Sequence, residues 1–322
     1  MARIGIVGAG VVGKATGQGF AKWGHEVAFC DIKQSAIREF SDAGFVAADP
    51  ITFRDVATDI TMVSVSTPTV NHQIELRYLI SAISEVGIRL CKLSRGHVVI
   101  IRSTIPPATT ESLLLPQLAK YSGLRPGIDF HIGYNPEFLR QASAEADFLE
   151  PWLTVLGASD PVALCAMRSL YEDNVPRGTI VEVNIPTAEM IKYASNLYNA
   201  TKISFSNEIW QVCRALGISS DNVMAAVSRS AEGMWNPSYG TRGGTPYGGA
   251  CLPKDTKGFY SYARSLGLSM DLLHSVIAVN EKMQALVRHS DPEFETYPEP
   301  ALIMEASSHN GAGNGSMAPI ER

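Results

Sequence analysis

The sequence predicts an α/β chain: an N-terminal, doubly wound parallel sheet followed by an all-helical second domain with a long spine helix. Three observations carry this expectation. Short apolar runs alternate with helical stretches as far as residue 184. A glycine-rich turn joins the first run to the first helical stretch. From Pro186 about thirty residues then pass without a helix breaker until Gly217.

The first unit is "RIGIVGAGVVGKATGQGFAKWGHEVAFCD", which reads as strand, tight turn, helix and strand. Residues 3–7 are continuously apolar, as a strand buried on both faces requires. Gly8, Gly10 and Gly13 follow in the pattern G-x-G-x-x-G. The first permits the turn, the second lets the backbone approach a pyrophosphate, and the third lets the helix pack closely. Free N–H groups and the positive end of the helix dipole suit phosphates there. Gly8, Gly10, Val11 and Gly13 are therefore expected to bind a dinucleotide in a Rossmann-type fold. "VAFCD" ends a second strand on Asp31, placed to accept hydrogen bonds from ribose hydroxyls and to repel a 2′-phosphate. That favours NAD, with Lys33 leaving NADP open.

Strands are expected at 59–68, 96–104 and 129–136, parallel to the first, with helices near 75–91 and 107–121. The runs 153–159 and 178–184 extend the pattern. Thr67, Pro68, Ser103, Thr104 and Glu137 fall at carboxyl ends of strands, where ligands of such sheets bind, although turn or capping roles would also put them there.

The spine begins at "PTAEMIKYASNLYNATKISFSNEIWQVCRALG", with proline in its first turn. Further helices are expected near 219–230, 253–266 and 271–288. Domains of 1–185 and 186–290 result, with 291–322 read from its Pro, Gly, Ser, Asn and Glu content as a disordered tail carrying one short apolar patch, "ALIM" (301–304). On the spine, Lys192 and Asn196 share a face, with Glu189 one turn earlier. A solvated Glu189–Lys192 surface pair is the plainer reading. The functional one aims Lys192 and Asn196 at a substrate oxygen.

Composition excludes several classes. Over 322 residues the formal charge is −5, with no basic run, so nucleic acid is not an expected partner. No apolar stretch reaches membrane-spanning length, and the N-terminus runs straight into a strand rather than a signal peptide. Cys30, Cys91, Cys165, Cys213 and Cys251 are odd in number and widely spaced, without a C-x-x-C pair. A disulfide framework or metal site is thus not expected, and a reducing cytoplasm is. The first four lie in apolar or helical patterns that suit core cysteines. Cys251 instead lies in "YGGACLPKDTKGF" (247–259), a glycine-rich loop with Lys254 and Asp255 close by.

Taken in order, "GIVGAGVVG", "VSTPT", "IRSTIPPATT", "YNPEFLRQASAEADF", "EMIKYASNLYNATKISFSNEI" and "YGGACLPKDTKGF" resemble the UDP-glucose/GDP-mannose 6-dehydrogenase family over residues 1 to about 285. The resemblance implies a four-electron, NAD-dependent oxidation of a primary alcohol, C6 of a sugar, to a carboxylate. Cys251 would add to the aldehyde, because a tetrahedral adduct can lose a hydride that an aldehyde gives up poorly. It further implies Lys192 and Asn196 as oxyanion donors, Asp255 as acid or base, Glu137 activating the hydrolytic water, and Thr104 beside the nicotinamide or that water. Gly8, Gly10, Gly13, Asp31, Thr67 and Thr104 would contact NAD, with Lys254 close by.

Three features depart from the family's pattern: a polar tail is read where the family's third, nucleotide-gripping domain is expected, Gln141 replaces a frequent glutamate, and Trp152 replaces a common arginine. The expected substrate is accordingly a sugar nucleotide, a smaller sugar or a nucleoside. A two-electron dehydrogenase of the β-hydroxyacid type and a non-catalytic NAD-binding relative are the alternatives. The spine helix, like the family's central helix, implies a homodimer.

Overall fold

The computed structural model describes residues 1–289 except Ser94, Arg177 and Arg242, so the expected tail and its "ALIM" patch lie outside the described residues. The strands are β1 (Arg3–Val7), β2 (Glu26–Cys30), β3 (Val46–Ala48), β4 (Ile60–Val63), a hairpin of β5 (Thr69–Val70) and β6 (Gln73–Ile74), β7 (His97–Ile101), β8 (Phe130–Tyr134), β9 (Thr154–Ala158) and β10 (Ile180–Val183). Between them run α1 (Val11–Lys22), α2 (Gln34–Asp42), α3 (Pro50–Phe53), α4 (Arg77–Leu90), α5 (Leu115–Ser122), α6 (Ala144–Leu149) and α7 (Pro161–Tyr171). Helices α8 (Ile185–Leu216), α9 (Ser220–Ser230), α10 (Glu232–Trp235), α11 (Leu252–Ser265) and α12 (Asp271–His289) complete the chain.

Eight strands form one sheet in the order β10-β9-β8-β7-β4-β1-β2-β3. The apolar runs become its interior because strands covered on both faces need no polar side: β4, β7 and β8 are buried at every position. One face packs Leu79, Ile83, Leu114 and Leu118 against the start of α8, and the other packs Phe20, Phe29, Phe148 and Tyr171. Strand order reverses between β1 and β4, which is where a doubly wound sheet opens a ligand crevice.

The sheet is not wholly parallel. β9 runs antiparallel to β8, the two pairing only through Gly133–Ala158 and Tyr134–Gly157, and β10 runs parallel to β9. An apolar run carries no sign of direction, so its sequence did not reveal this. The consequence is positional: Val183, the last residue of β10, pairs with Gly157, which pairs with Tyr134 at the carboxyl end of β8, so α8 starts beside the carboxyl ends of the main strands. Asn184 starts that helix, its Oδ1 accepting from Thr187 N at 2.9 Å, with Pro186 in the first turn.

Two other expectations need correction. Cys30 and Cys213 are buried, but Cys91 and Cys165 are exposed at the surfaces of their elements. The helix near 107–121 opens as a π turn, Thr110–Leu114, before α5, following Ala108 at φ 68°. β3, the hairpin, α2, α3, α6 and α7 lie outside the elements anticipated from sequence.

The second half is helical, as expected. α8 is buried at Ile185, Ala188, Glu189 and Lys192, and then every residue from Asn196 to Phe205 is exposed. Beyond it, Val212, Ala263 and Met270 make a small separate core. Glu208 joins α8 to α12, accepting from Leu272 N at 2.6 Å and Leu273 N at 3.1 Å at that helix's N-terminus. No helix among the described residues is long and apolar enough to cross a membrane.

Candidate active site

A crevice of about 650 Å³ opens at the carboxyl ends of β1, β2, β4 and β7. Gly8 turns the chain at φ +92°, where an added Cβ would lie 2.8 Å from the Ser64 carbonyl oxygen. At Gly13 a Cβ would lie 1.9 Å from the Gly8 oxygen, so α1 can start against the turn only without a side chain. Gly10 differs: a Cβ there meets nothing within 4 Å. Protein packing explains the first two glycines but not the third, which faces the crevice as a close-approaching ligand would require.

Asp31 stands at the end of β2 with its carboxylate held from both sides, Oδ2 accepting from Ala9 N at 2.7 Å and Oδ1 from Lys33 N at 2.8 Å. It therefore presents fixed negative charge where ribose hydroxyls could donate and a 2′-phosphate would be repelled. Thr67 Oγ1 donates to the Thr104 carbonyl at 2.7 Å, tying the segments after β4 and β7. Ser64 Oγ, buried in the crevice wall, has no hydrogen-bond partner among the described residues. Beyond Asp31 the apolar Cys30, Pro50, Phe53 and Val86 line the wall together with Glu85 and Arg89; burial pushes the Cys30 thiol up to about 12, so it is chemically quiet. These residues fit NAD: Gly10, Val11 and the start of α1 would hold its diphosphate, and Asp31 its adenosine ribose.

On the far side, Glu137 lines the crevice two residues beyond Asn135. Asn135 is fixed first: Nδ2 donates to the Val155 carbonyl at 2.8 Å, and Oδ1 accepts from Tyr171 Oη at 2.6 Å and from Arg102. Glu137 Oε2 then accepts from Leu139 N at 2.7 Å. Its Oε1, at 2.8 Å, and its own carbonyl, at 2.6 Å, both accept from Lys192 Nζ. Lys192 is 5% exposed, so this is a buried ion pair at the crevice rim.

The anticipated surface pair of Glu189 with Lys192 does not form. Glu189 is fully buried, and its Oε1 accepts from Thr110 N at 2.9 Å and Thr110 Oγ1 at 2.6 Å. Burial pushes its carboxyl above the usual range, against the pull of the Thr110 hydrogen bonds. Thr110 carried no signal in the sequence, because its partner lies 79 residues away.

Gly8, Gly10, Val11, Asp31, Thr67, Thr104 and Glu137 thus share one crevice, with Gly13 beneath it and Lys192 attached through Glu137. Asn196, Cys251, Lys254 and Asp255 do not line it in the same chain. Cys251 is exposed just before α11, its carbonyl accepting from Asp255 N at 2.8 Å, while Lys254 pairs with the Asp255 carboxylate. Among the described residues no hydrogen bond or ion pair joins residues 218–281 to residues 1–184. Nor do three or more His, Cys, Asp or Glu side chains among them gather as a metal site.

Comparison with known proteins agrees with this architecture. Residues 50–175 match the NAD binding domain of the UDP-glucose/GDP-mannose dehydrogenase family, and residues 186–282 match that family's central domain. GDP-mannose 6-dehydrogenase of Pseudomonas syringae pv. syringae is 33% identical over 300 residues, covering 86% of this chain and 68% of that protein. UDP-glucose 6-dehydrogenase AglM of Haloferax volcanii is 31% identical over 311 residues, covering 88% and 72%. Among solved structures, a ternary complex of GDP-mannose dehydrogenase from Pseudomonas aeruginosa superposes with a TM-score of 0.82 at 28% identity, covering 90% of this chain and 71% of that one. UDP-glucose dehydrogenase from Pyrobaculum islandicum gives 0.66 at 33% identity, covering 88% and 69%. With the glycine turn, the acidic strand end and the buried lysine all in place, the chain belongs to the UDP-glucose/GDP-mannose dehydrogenase family and is an NAD-dependent dehydrogenase acting on a CH–OH group.

Proposed function

We propose that the chain oxidises the C6 primary alcohol of a sugar nucleotide to a carboxylate, residues 1–185 binding NAD and residues 186–290 supplying the helix and the cysteine loop. The observation that carries this reading is the Lys192–Glu137 pair, a buried cation and carboxylate at the rim of the NAD crevice. NAD, when bound, takes up the hydride of each oxidation. Lys192 would stabilise oxygen as negative charge develops on it, with Asn196 one turn along α8 as second donor. The Cys251 thiolate would add to the aldehyde carbon, and Asp255 would take and return the alcohol proton through water. Loss of a second hydride from the adduct leaves a thioester. Glu137 would activate water to split it, restoring the thiol and freeing the acid. Thr104, on the segment leaving β7, would help hold that water or the nicotinamide.

The exposed sulfur sets a condition on this scheme. The bare stretch of α8, with Leu197 59%, Tyr198 60% and Ile203 63% exposed, is too apolar to stand in water alone and supports a homodimer through the long helix. We assign Cys251 of the second copy to the crevice. The same exposure favours a second reading, a two-electron dehydrogenase in which the cysteine takes no part. NADH yield from GDP-mannose and UDP-glucose separates them: two per acid supports the first, and one per carbonyl product the second. Mixing Lys192→Ala and Cys251→Ser chains should restore turnover if the two groups come from different copies. Mixtures as inactive as their parents would exclude that arrangement.

A further inference from the structure

Glu189 is buried, ionisable and unused by the scheme above, and it sits one turn before Lys192 on the same face of α8. Its surroundings are unusual for a simple packing contact. Ala108 takes the left-handed conformation, φ 68°, at a cost of about 1–2 kcal/mol for a residue with a Cβ. The next turn is a π turn, a form that recurs at functional sites. Together they aim both donors of Thr110, its N–H and its hydroxyl, at one carboxylate oxygen of Glu189. Such strain persists only where the surroundings hold it in place. Here two loops from adjacent strands pin α8 one turn apart: the segment after β7 through Thr110, and the segment after β8 through Glu137.

We infer that Thr110 and Glu189 form a clamp that sets the rotation and height of α8 and so positions the Lys192 ammonium at the crevice. Both are positioning residues; neither touches the reacting atoms. The inference rests on the reading of Lys192 as part of the site, but it can be tested without turnover. Lys192 is held by its partners away from solvent, so its rate of reductive methylation by formaldehyde and cyanoborohydride in the folded protein, read at Lys192 by peptide mass spectrometry after digestion, reports how firmly it is held. Thr110→Val removes the hydroxyl at nearly constant volume and should raise that rate about tenfold, a loss of about 1.4 kcal/mol in local stability. Thr110→Ser restores a hydroxyl and should return the rate to within about twofold of the original. Phe40→Ala, which destabilises the far side of the sheet, should leave it unchanged, separating positioning from general loosening. If folded Thr110→Val is labelled no faster than the original, or if Phe40→Ala accelerates labelling equally, the clamp is overturned. Undiminished turnover in Lys192→Ala would instead count against the proposed role of Lys192 in the reaction, whatever the labelling shows.

Discussion

Replacing Lys192 by methionine should destabilise the sheet half by about 3 kcal/mol, and the value follows from its partners. At 2.8 Å from Glu137 Oε1, the charge pair gains about 6 kcal/mol at an effective dielectric of ~20. The second bond, to the Glu137 carbonyl, adds roughly 1.5–3 kcal/mol for a charged donor. Against this, an ammonium taken out of water costs several kcal/mol, and methionine does not incur that cost. Methionine keeps the packing of the stem beside Phe138, over whose ring Nζ lies 5.5 Å from the centroid, so little of the loss comes from a cavity. What remains is a Glu137 carboxylate, 13% exposed, without its cation. For a unit of this size the loss corresponds to roughly 6–12 °C in midpoint temperature. The assay is urea denaturation of the parent, Lys192→Met, Glu137→Gln and the double variant, followed by circular dichroism. The double variant should lose less than the two singles together, with a coupling of about 2 kcal/mol. A coupling below about 0.5 kcal/mol would refute the pair as the source of the stabilisation.

Gly10→Ala should leave the midpoint temperature unchanged without NAD and weaken NAD binding at least about tenfold by titration calorimetry, since its Cβ meets only the crevice. Gly13→Ala should lower both, because its Cβ collides with the Gly8 carbonyl; equal behaviour of the two variants would contradict the cofactor's placement. The His97 imidazole, pushed down to about 4 chiefly by burial and next by Arg89, stays neutral in the folded chain while an unfolded one would take up a proton below about 6.5. Its stabilising contribution is therefore complete above pH 6.5 and is lost as pH falls toward 4, by up to about 3 kcal/mol. Denaturant midpoints across that range should fall less steeply for His97→Gln than for the parent; parallel slopes would refute it.

Much of this architecture was legible because it rests on local chemistry. Gly8 and Gly13 sit where a short turn and a close helix forbid side chains, Gly10 between them faces the crevice, and that demand is visible at a spacing of five residues. The strands were legible as apolar runs, and α9, α11 and α12 as periodic segments bounded by glycine and polar residues. The reversal at β9 was not, since an apolar strand pairs equally well in either direction and the choice lies in the route of α7 and β10. Glu189 invited a local partner three residues on, but burial gave it Thr110 and gave Lys192 to Glu137. Both true partners are supplied by loops more than fifty residues away, and no periodicity records such contacts. The cysteine loop was recognisable by its residues, whereas its distance from the crevice depends on a helix that leaves the sheet behind.

That helix behaves as a rigid strut. Between Lys192, fastened to the sheet, and Glu208, fastened to α12, sixteen residues run without a break, about 24 Å of reach. Length and bearing are therefore locked together: one inserted residue would lengthen the arm by about 1.5 Å and swing everything distal to it through about 100°. Seven inserted residues would nearly restore the bearing while carrying the thiol about 10 Å outward. Drift in this stretch is thus restricted to substitution, because even the shortest insertion would point the sulfur at a different neighbour.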